Sequence, residues 1–506
     1  MRTSNSIRNL IYAFVGQFAG ILISLIARIF FVNILSEEYL GLNGLFTNIL
    51  TILSLTELGF STAMCCQLYK PLNKNNVPEI KSLMNLYKKI YLCIGISIII
   101  LGFLTIPVYP FFINEVPQIP NLDMIYFLFV INTAATYFFS YKRVLIISDQ
   151  RKYITIFYRY LFYFVLNVIQ IIILLITKNY IFYLLMQTIL TLIENLLISK
   201  KANKMYPYLT DKDILKVSDK NKKEITTNVK AMFYHKFGGT VLNSTDNIII
   251  SKVISLKAVG LYSNYYLITN ALNLVISQVF NSLVPSIGNL DVEDDKNKMT
   301  VIFDRIFFLD FWIHIVCTIC LMILLNPFIE LWLGEEFLLD FFTVVVLCIN
   351  FFVFGMRRTV MAFREATGNY YRDRYSPIAE SIINIISSLF FAKYLGIAGV
   401  FLGTILSSLC TNFWLEPLVV CKVSLNKRLT EYFKTYLSYL IIGVFIALIT
   451  LFVTSFIKNN SFILFLLKAI ISFGITNILL LLLFYKSNHF KYYKNLIFSI
   501  VLKIKK

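Results

Sequence analysis

Several basic residues lie inside apolar segments that are long enough to cross a membrane. An Arg or Lys at the centre of a bilayer costs roughly 2.5–3.5 kcal/mol on insertion scales, so such a cation is expected to face a protein interior, a water-filled cavity or an anionic ligand. The residues are Arg28, Lys142, Arg143, Lys236, Arg357 and Arg358. Their positions predict a basic passage through the membrane that handles an anion.

The composition predicts a polytopic membrane protein. Of the 506 residues, 58% are hydrophobic and 15% are charged, and the mean hydropathy is +0.72. Apolar runs of about 20 residues, each able to cross a hydrocarbon core of roughly 30 Å as a helix, recur about fourteen times. We place these spans at 7–34, 41–66, 86–112, 122–147, 153–176, 180–200, 228–254, 259–286, 302–327, 338–362, 376–394, 397–420, 436–457 and 462–485. The loops between them are too short for a soluble catalytic domain, so we predict an all-α integral membrane protein that is not an enzyme.

Basic residues collect in alternate loops, which sets the predicted orientation. With the N-terminus taken as cytoplasmic, most of the 47 Lys and Arg residues fall in the tails or in the loops after even-numbered spans. Both termini are therefore predicted to be cytoplasmic. The same bias accounts for the net charge of +19 and favours contact with anionic lipid headgroups. Nucleic acid is not a predicted partner, because there is no soluble basic domain to bind it.

The first twelve spans are predicted to form two related halves. A shift of about 219 residues aligns equivalent positions of the two halves. The aligned pairs include Arg28 with Asn247, Ser36 with Ser255, and Gly41-Leu42 with Gly260-Leu261. Because each half holds an even number of spans, the repeats share one orientation, as in transporters whose two lobes rock around a central cleft.

The repeat predicts two pseudo-symmetric six-helix lobes followed by two further helices. The predicted domains are an N-terminal lobe at 1–200, a basic cytoplasmic linker at 201–227, a C-terminal lobe at 228–421, accessory helices 13 and 14 at 422–485, and a basic cytoplasmic tail at 486–506. In such an arrangement the binding site is expected near the membrane midplane, between the two lobes.

Polar side chains at helical spacing mark the helix faces that could line this cleft. The candidate cations are Arg28, Arg143, Lys236, Arg357 and Arg364, and the candidate polar or ion-pairing groups are Glu57, Asn243, Asp246, Asn247, Glu380 and Asn384. No metal site and no cofactor are predicted. Coupling to a proton or sodium gradient is left open.

Each candidate also has a structural interpretation. Polar residues can join helices by hydrogen bonds, and cations near the end of a span can reach the membrane interface. The deeper cations, Arg28 and Lys236, can instead form internal ion pairs, for which Glu194 is a further candidate partner. Asp310 and His314, four residues apart in span 9, are either a proton relay or a buried pair.

Ordered strings along the chain resemble those of a known family. They include Tyr39-Leu-Gly-Leu-Asn-Gly-Leu-Phe, Leu55-Thr-Glu-Leu-Gly-Phe-Ser-Thr-Ala, Ser244-Thr-Asp-Asn-Ile-Ile-Ile-Ser and Val259-Gly-Leu-Tyr-Ser-Asn-Tyr. Over about residues 1–420 the chain is similar to the Wzx-type polysaccharide repeat-unit flippases of bacterial capsule, O-antigen and teichoic-acid synthesis. That family belongs to the MOP superfamily, which also contains the MATE-type drug exporters.

The resemblance implies flipping of an undecaprenyl-diphosphate-linked oligosaccharide from the cytoplasmic to the outer leaflet of the bacterial inner membrane. It also implies a cationic lumen, which maps onto the five candidate cations given above. Membrane lipid and other polysaccharide assembly proteins are the further partners that it implies. The alternatives are a MATE-like drug or metabolite antiporter, which would prefer carboxylates in its lumen, and a membrane glycan polymerase or ligase, which would need a sizeable outward loop.

Overall fold

The computed structural model describes residues 2–57, 60–211, 217, 219–291, 295–368, 375–457 and 461–504. Regular structure in these ranges is helical, without a strand. The helices are α1 (Arg2–Ile34), α2 (Glu37–Leu53), α3 (Phe60–Asn73), α4 (Val77–Leu104), α5 (Leu122–Ala135), α6 (Tyr141–Ser148), α7 (Lys152–Thr177), α8 (Tyr180–Met205), α9 (Asp219–Val253), α10 (Leu256–Asp291), α11 (Lys296–Leu333), α12 (Phe341–Gly355), α13 (Arg358–Ala366), α14 (Ser376–Cys410), α15 (Asn412–Val423), α16 (Leu429–Ser455), α17 (Phe462–Phe484) and α18 (Asn488–Ile504). The predicted all-α fold is confirmed.

Ten helical segments of the described chain are long and apolar enough to cross a membrane. They confirm a multi-pass membrane protein, whereas the count of fourteen spans is not confirmed. Predicted span 2 is divided between α2 and α3, span 4 is divided between α5 and α6, and span 7 lies in the more polar α9. Predicted spans 11 and 12 lie in one apolar stretch, Ser376–Val423. Gly396 interrupts this stretch with φ 57° and ψ −134°, a backbone conformation that glycine tolerates best.

The chain divides into two compact units, Met1–Ser263 and Asn264–Lys506. In the first unit, α7 packs along α1 and α8, α5 packs against α8, and α2 packs against α9. In the second unit, α11 contacts α12, α16 and α17. The lobe boundaries expected from the sequence stay a prediction.

The first unit has an aromatic core around Phe46. Its ring meets those of Tyr109, Tyr126 and Phe129 at centroid distances of 4.9–5.6 Å. Phe46 and Tyr126 are fully buried. Edge-to-face contacts of this kind add about 0.5–1.5 kcal/mol each beyond the area that they bury, so they hold α2 and α5 together.

Two helix starts in the first unit touch each other reciprocally. A Cβ atom added to Gly41 of α2 would lie 2.1 Å from the carbonyl oxygen of Leu256, and one added to Gly260 of α10 would lie 2.4 Å from that of Glu37. Only glycine lets the two backbones approach this closely. Each contact maps onto the other by the shift of about 219 residues that the sequence predicts.

A second pair of contacts follows the same relation. Arg28 donates from Nη1 to the Oγ of Ser263 at 3.1 Å. At the equivalent positions, the side-chain nitrogen of Asn247 lies 3.4 Å from a Cβ atom added to Gly44. Two pairs of contacts within the first unit therefore follow the predicted shift, and the repeat over the whole chain stays a prediction.

The second unit is built on α11, the longest described helix, at 38 residues. The ring of Phe311 stacks on that of Tyr439 from α16 at 4.4 Å, and the ring of Phe308 meets Phe484 of α17 at 5.2 Å. Trp312 donates to Asn477 at 3.0 Å. The predicted accessory helices 13 and 14 therefore pack on α11 and form part of the second unit.

Candidate functional site

Arg28 is a half-buried cation in the apolar helix α1. Its guanidinium contacts the hydroxyl of Ser263, and no carboxylate among the described residues lies within ion-pair distance of it. A hydroxyl solvates an arginine without cancelling its charge. Arg28 therefore keeps a positive charge that an anionic ligand could balance.

Tyrosine side chains surround Arg28. Tyr163, Tyr180 and Tyr183 are near enough to interact with it electrostatically, and the rings of Tyr180 and Tyr183 stack at 5.6 Å. The Oη of Tyr180 is buried and has no hydrogen-bond partner in the described structure. Buried polar groups normally have a partner, so this hydroxyl and Arg28 together mark a place where a polar ligand or water would bind.

Arg143 is held by acceptors on α8. Its Nη2 forms an ion pair with Glu194 and also donates to the Oδ1 of Asn195 at 3.0 Å. The neighbouring Lys142 donates to the Oδ1 of Asn203 at 2.7 Å. Glu194 balances the charge of Arg143 inside the protein, whereas the sequence makes Glu194 a candidate partner for Arg28 or Lys236. Its predicted contact with substrate stays a prediction.

The other candidates of the first unit have different hydrogen-bond partners or neighbours. Glu57 accepts a hydrogen bond from Tyr137 at 3.1 Å. Asp246 is half-buried on α9, and the next residue, Asn247, lies beside α2 at Gly44. The side chains of Lys236 and Asn243 are outside the described part of the structure, so both residues stay predictions.

In the second unit, Arg357 is the centre of a buried charge network. Its Nε and Nη2 donate to the two carboxylate oxygens of Glu416, each at 3.1 Å. Its Nη1 donates to Glu380 at 3.1 Å and to the hydroxyl of Ser408 at 2.8 Å. All three guanidinium nitrogens of Arg357 therefore donate hydrogen bonds, and the two-pronged pairing with Glu416 is the geometry that gives the strongest arginine–carboxylate pairs.

Arg364 completes the network. Its Nη1 donates to the Oε1 of Glu416 at 3.1 Å, and both side chains are nearly fully buried. Two arginines and two glutamates thus lie together, with balanced charges. The sequence prediction included Arg357, Arg364 and Glu380 but missed Glu416. Glu416 could have been found from the sequence, because it lies in predicted span 12 and a carboxylate in an apolar span requires a charged or hydrogen-bonding partner just as a cation does.

Asn384 belongs to a separate polar contact. It donates to the Oγ1 of Thr404 at 2.9 Å and approaches the Oγ of Ser388 at 3.4 Å, and it is fully buried. The bond to Thr404 joins the two arms of the α14 stretch on either side of Gly396. Polar side chains often link membrane helices in this way. The predicted role of Asn384 toward substrate stays a prediction.

The ion pairs of the two units are built alike. In the first unit, the pair of Arg143 and Glu194 joins α6 to α8, in predicted spans 4 and 6. In the second unit, the pair of Arg364 and Glu416 joins α13 to α15, in predicted spans 10 and 12. In both units the arginine follows a break in its span. The arrangement indicates that these pairs fasten a short helix after each break.

Apolar helices with charged residues paired inside them define a multi-pass membrane protein with a charged interior. A family model described as polysaccharide biosynthesis protein matches residues 6–290. The match covers more than half of the chain, so this protein belongs to the polysaccharide biosynthesis protein family, which agrees with the resemblance found in the sequence. No curated protein matches the chain.

Solved structures share the fold at low sequence identity. The lipid II flippase MurJ in an inward closed conformation has a TM-score of 0.66 at 14% identity, covering 96% of this chain and 99% of that one. A multidrug resistance MATE family transporter of the MOP superfamily has a TM-score of 0.63 at 13% identity in an inward-facing conformation, covering 81% and 98%. In an outward-facing conformation, such a transporter gives 0.55 at 12% identity, covering 83% and 96%. The fold is therefore of the MurJ and MATE kind.

Proposed function

We propose that this protein flips a lipid-linked oligosaccharide, carried on undecaprenyl diphosphate, from the cytoplasmic to the outer leaflet of a bacterial inner membrane. The observation that carries the proposal is Arg28, a cation in an apolar helix whose side chain contacts a hydroxyl rather than a carboxylate. Family membership supports a glycan precursor as the cargo, and the fold shared with a lipid II flippase supports flipping as the mechanism. Capsule, O-antigen and teichoic-acid synthesis all use such units.

The chemistry of the cargo fits a cationic cavity. A diphosphate carries roughly two negative charges, and arginine supplies paired donors that match phosphate oxygens. Its transfer through hydrocarbon without compensation would be prohibitive, because an isolated charge loses its hydration there. Arg28 would replace part of that hydration, and the tyrosine hydroxyls beside it could bind the sugar or phosphate oxygens. The polyprenyl tail would stay in lipid.

Alternating access is the proposed cycle. Relatives of this fold have been solved in both inward-facing and outward-facing conformations, which supports two states for this chain as well. In the cycle, the inward-open state takes the headgroup from the cytoplasmic leaflet, closes around it and reopens outward. This orientation assumes cytoplasmic termini, as the distribution of basic residues predicts. Other polysaccharide assembly proteins would supply and receive the cargo.

A MATE-like antiporter of drugs or metabolites is the second candidate, because such transporters share the fold. An exporter of organic cations would use carboxylates to attract its ligand. In the second unit, the carboxylates of Glu380 and Glu416 are both bound by Arg357. Their charges are thus balanced internally, which favours the anionic cargo.

The proposal is tested by replacing Arg28 in cells that depend on this protein for surface glycan. For Arg28→Ala we expect surface glycan to fall by about tenfold or more, since charge-assisted hydrogen bonds to the cargo are lost. Lipid-linked precursor should accumulate on the cytoplasmic face, with protein abundance unchanged. The matched control is Arg159→Ala, which removes an exposed arginine of α7. Normal export by Arg28→Ala would contradict the proposal.

A further inference from the structure

We propose that Arg358, and neither Arg357 nor Arg364, is the anion-binding arginine of the second unit. The ligand class is a phosphate group of the diphosphate carrier, so this inference rests on the proposed function and deepens it. The three arginines lie within one turn or two of each other at α13, yet their surroundings differ. An arginine that is ion-paired with a buried carboxylate has a structural role, whereas one with neutral partners can bind an anion.

The partners of the three arginines set them apart. Arg357 and Arg364 share Glu416, and Arg357 also binds Glu380. Removing either arginine from its carboxylates would leave buried negative charge without compensation, so the release of either arginine for ligand binding is unfavourable. Arg357 and Arg364 therefore have a structural role, in which they stabilise the second unit through their ion pairs.

Arg358 has neutral partners instead. Its Nη1 donates to the Oγ of Ser277 at 2.5 Å and its Nη2 donates to the Oδ1 of Asn273 at 2.9 Å, both on α10. Its Nε is buried and has no hydrogen-bond partner in the described structure. Among the described residues no carboxylate lies within ion-pair distance of this side chain. In the described structure Arg358 thus has no ion-paired carboxylate and keeps an unused donor, and a phosphate group would supply both a paired negative charge and an acceptor.

Asp310 is near Arg358 but is bound elsewhere. Its Oδ2 accepts from the backbone nitrogen of Thr359 at 3.0 Å and from the Thr359 hydroxyl at 2.7 Å. Its Oδ1 lies 2.7 Å from the Nδ1 of His314, and both side chains are fully buried. The imidazole of His314 in turn lies against Gly355, where an added Cβ atom would be 2.1 Å from its Cδ2. The buried-pair interpretation of these two residues therefore fits a structural role.

These contacts hold the break between α12 and α13. Asp310 binds the start of α13 and His314 packs on the end of α12, so both ends of the break are fixed to α11. With the break fixed, Arg357 points to acceptors on α14 and α15, whereas Arg358 points to α10. Arg358 is also the first residue of α13, where the helix dipole is positive. A cation is disfavoured at that end, and a bound anion would relieve the repulsion.

Arg28 of the first unit has the same kind of environment. Each of the two arginines is half-buried and donates to a serine hydroxyl of α10, and neither has an ion-paired carboxylate among the described residues. Each unit thus presents one arginine whose charge is open to an anion.

The test is direct binding of inorganic pyrophosphate to the purified full-length protein in lipid nanodiscs. For Arg358→Gln we expect binding to be about tenfold weaker, with only a small change in the melting temperature, because the bonds lost within the protein are to the neutral side chains of Ser277 and Asn273 and no buried carboxylate is left without its partner. The control, Arg428→Gln, removes an exposed arginine of the same unit and should bind like the unsubstituted chain. Arg364→Gln should instead lower the melting temperature.

A second variant and a cellular readout keep the test decisive if Arg358→Gln folds poorly. Arg358→Lys retains the positive charge without the paired donors of the guanidinium. It should therefore bind pyrophosphate more tightly than Arg358→Gln and less tightly than the unsubstituted protein. If Arg358→Gln and Arg358→Lys both bind pyrophosphate and export glycan normally while Arg28→Ala fails to export, this inference is overturned and the proposed function stands. If Arg28→Ala also exports normally, the proposed function itself is overturned.

Discussion

Arg357 and Glu416 form a two-pronged ion pair inside the second unit, with both donor–acceptor distances at 3.1 Å. The two residues are 59 positions apart in the chain. Each is 7% exposed or less, so neither charge is compensated by solvent. The pair connects the break before α13 to α15, and Arg364 of α13 binds the same carboxylate.

Loss of the Glu416 carboxylate is expected to destabilise the second unit. Glu416→Gln would remove the carboxylate charge that Arg357 and Arg364 share. Breaking a buried ion pair in this way lowers the free energy of unfolding by about 3–5 kcal/mol. The measurement is thermal unfolding of the purified protein together with its abundance in membranes. Glu365→Gln is the matched control, because Glu365 is an exposed carboxylate of α13, next to Arg364 in the chain. Equal melting temperatures for the two variants would show that the network does not support the fold.

Larger residues at the reciprocal glycine contact are expected to separate α2 from α10. In Gly41→Ala the new Cβ atom would lie 2.1 Å from a backbone carbonyl oxygen, and in Gly260→Ala it would lie 2.4 Å from one, so the backbones must move apart. We expect both variants to lose export of surface glycan, and the glycan assay with membrane abundance measures this. In Gly474→Ala the added methyl group meets no atom within 4 Å, so that variant serves as the control. Export at the control level by both contact variants would show that this contact is not needed.

The Asp310 carboxylate is expected to be needed for the break between α12 and α13. Asp310→Ala removes the acceptor of two hydrogen bonds from Thr359 and leaves those donors buried, which costs about 1–3 kcal/mol for each unsatisfied group. Asp310→Asn keeps an acceptor oxygen and should be milder. Comparison of the two melting temperatures tests this order. A larger loss in Asp310→Asn than in Asp310→Ala would contradict the proposed role.

Tyr206, at the end of α8, gives a pH-dependent prediction. Burial, and after it the hydrogen bond of 2.6 Å to Asp149, raises the pKa of Tyr206. Because the pKa is higher in the folded protein than in the unfolded chain, the stabilisation is complete below the ordinary value of about 10 and is lost as the pH rises through the folded value. Tyr206→Phe should therefore lower the free energy of unfolding by about 1 kcal/mol at neutral pH. Above pH ~10 the free energy of unfolding of this variant should fall less steeply with pH than that of the unsubstituted protein. Thermal unfolding across pH 8 to 11 measures this difference, in contrast to exposed Tyr394→Phe, which should follow the unsubstituted chain. A difference between Tyr206→Phe and the unsubstituted protein that does not change with pH would contradict this assignment.

Much of this protein could be predicted from the sequence because a membrane restricts what a chain can do. Long apolar runs must be helical, so composition alone led to the all-α multi-pass fold. The local repeat could also be predicted, since Gly41 and Gly260 keep the same residue type where two backbones touch. The number of spans could not be predicted as securely, because breaks such as the one at Ser54–Glu57 depend on packing rather than on hydropathy.

The sequence by itself determined that several cations lie in apolar helices and that a cation there needs a partner. Only the tertiary structure decided which partner each one has. Glu194, Glu380 and Glu416 balance Arg143, Arg357 and Arg364, whereas Arg28 and Arg358 meet hydroxyl and amide oxygens. The physical reason is that pairing depends on how helices distant in sequence are brought side by side, and hydropathy carries no information about that.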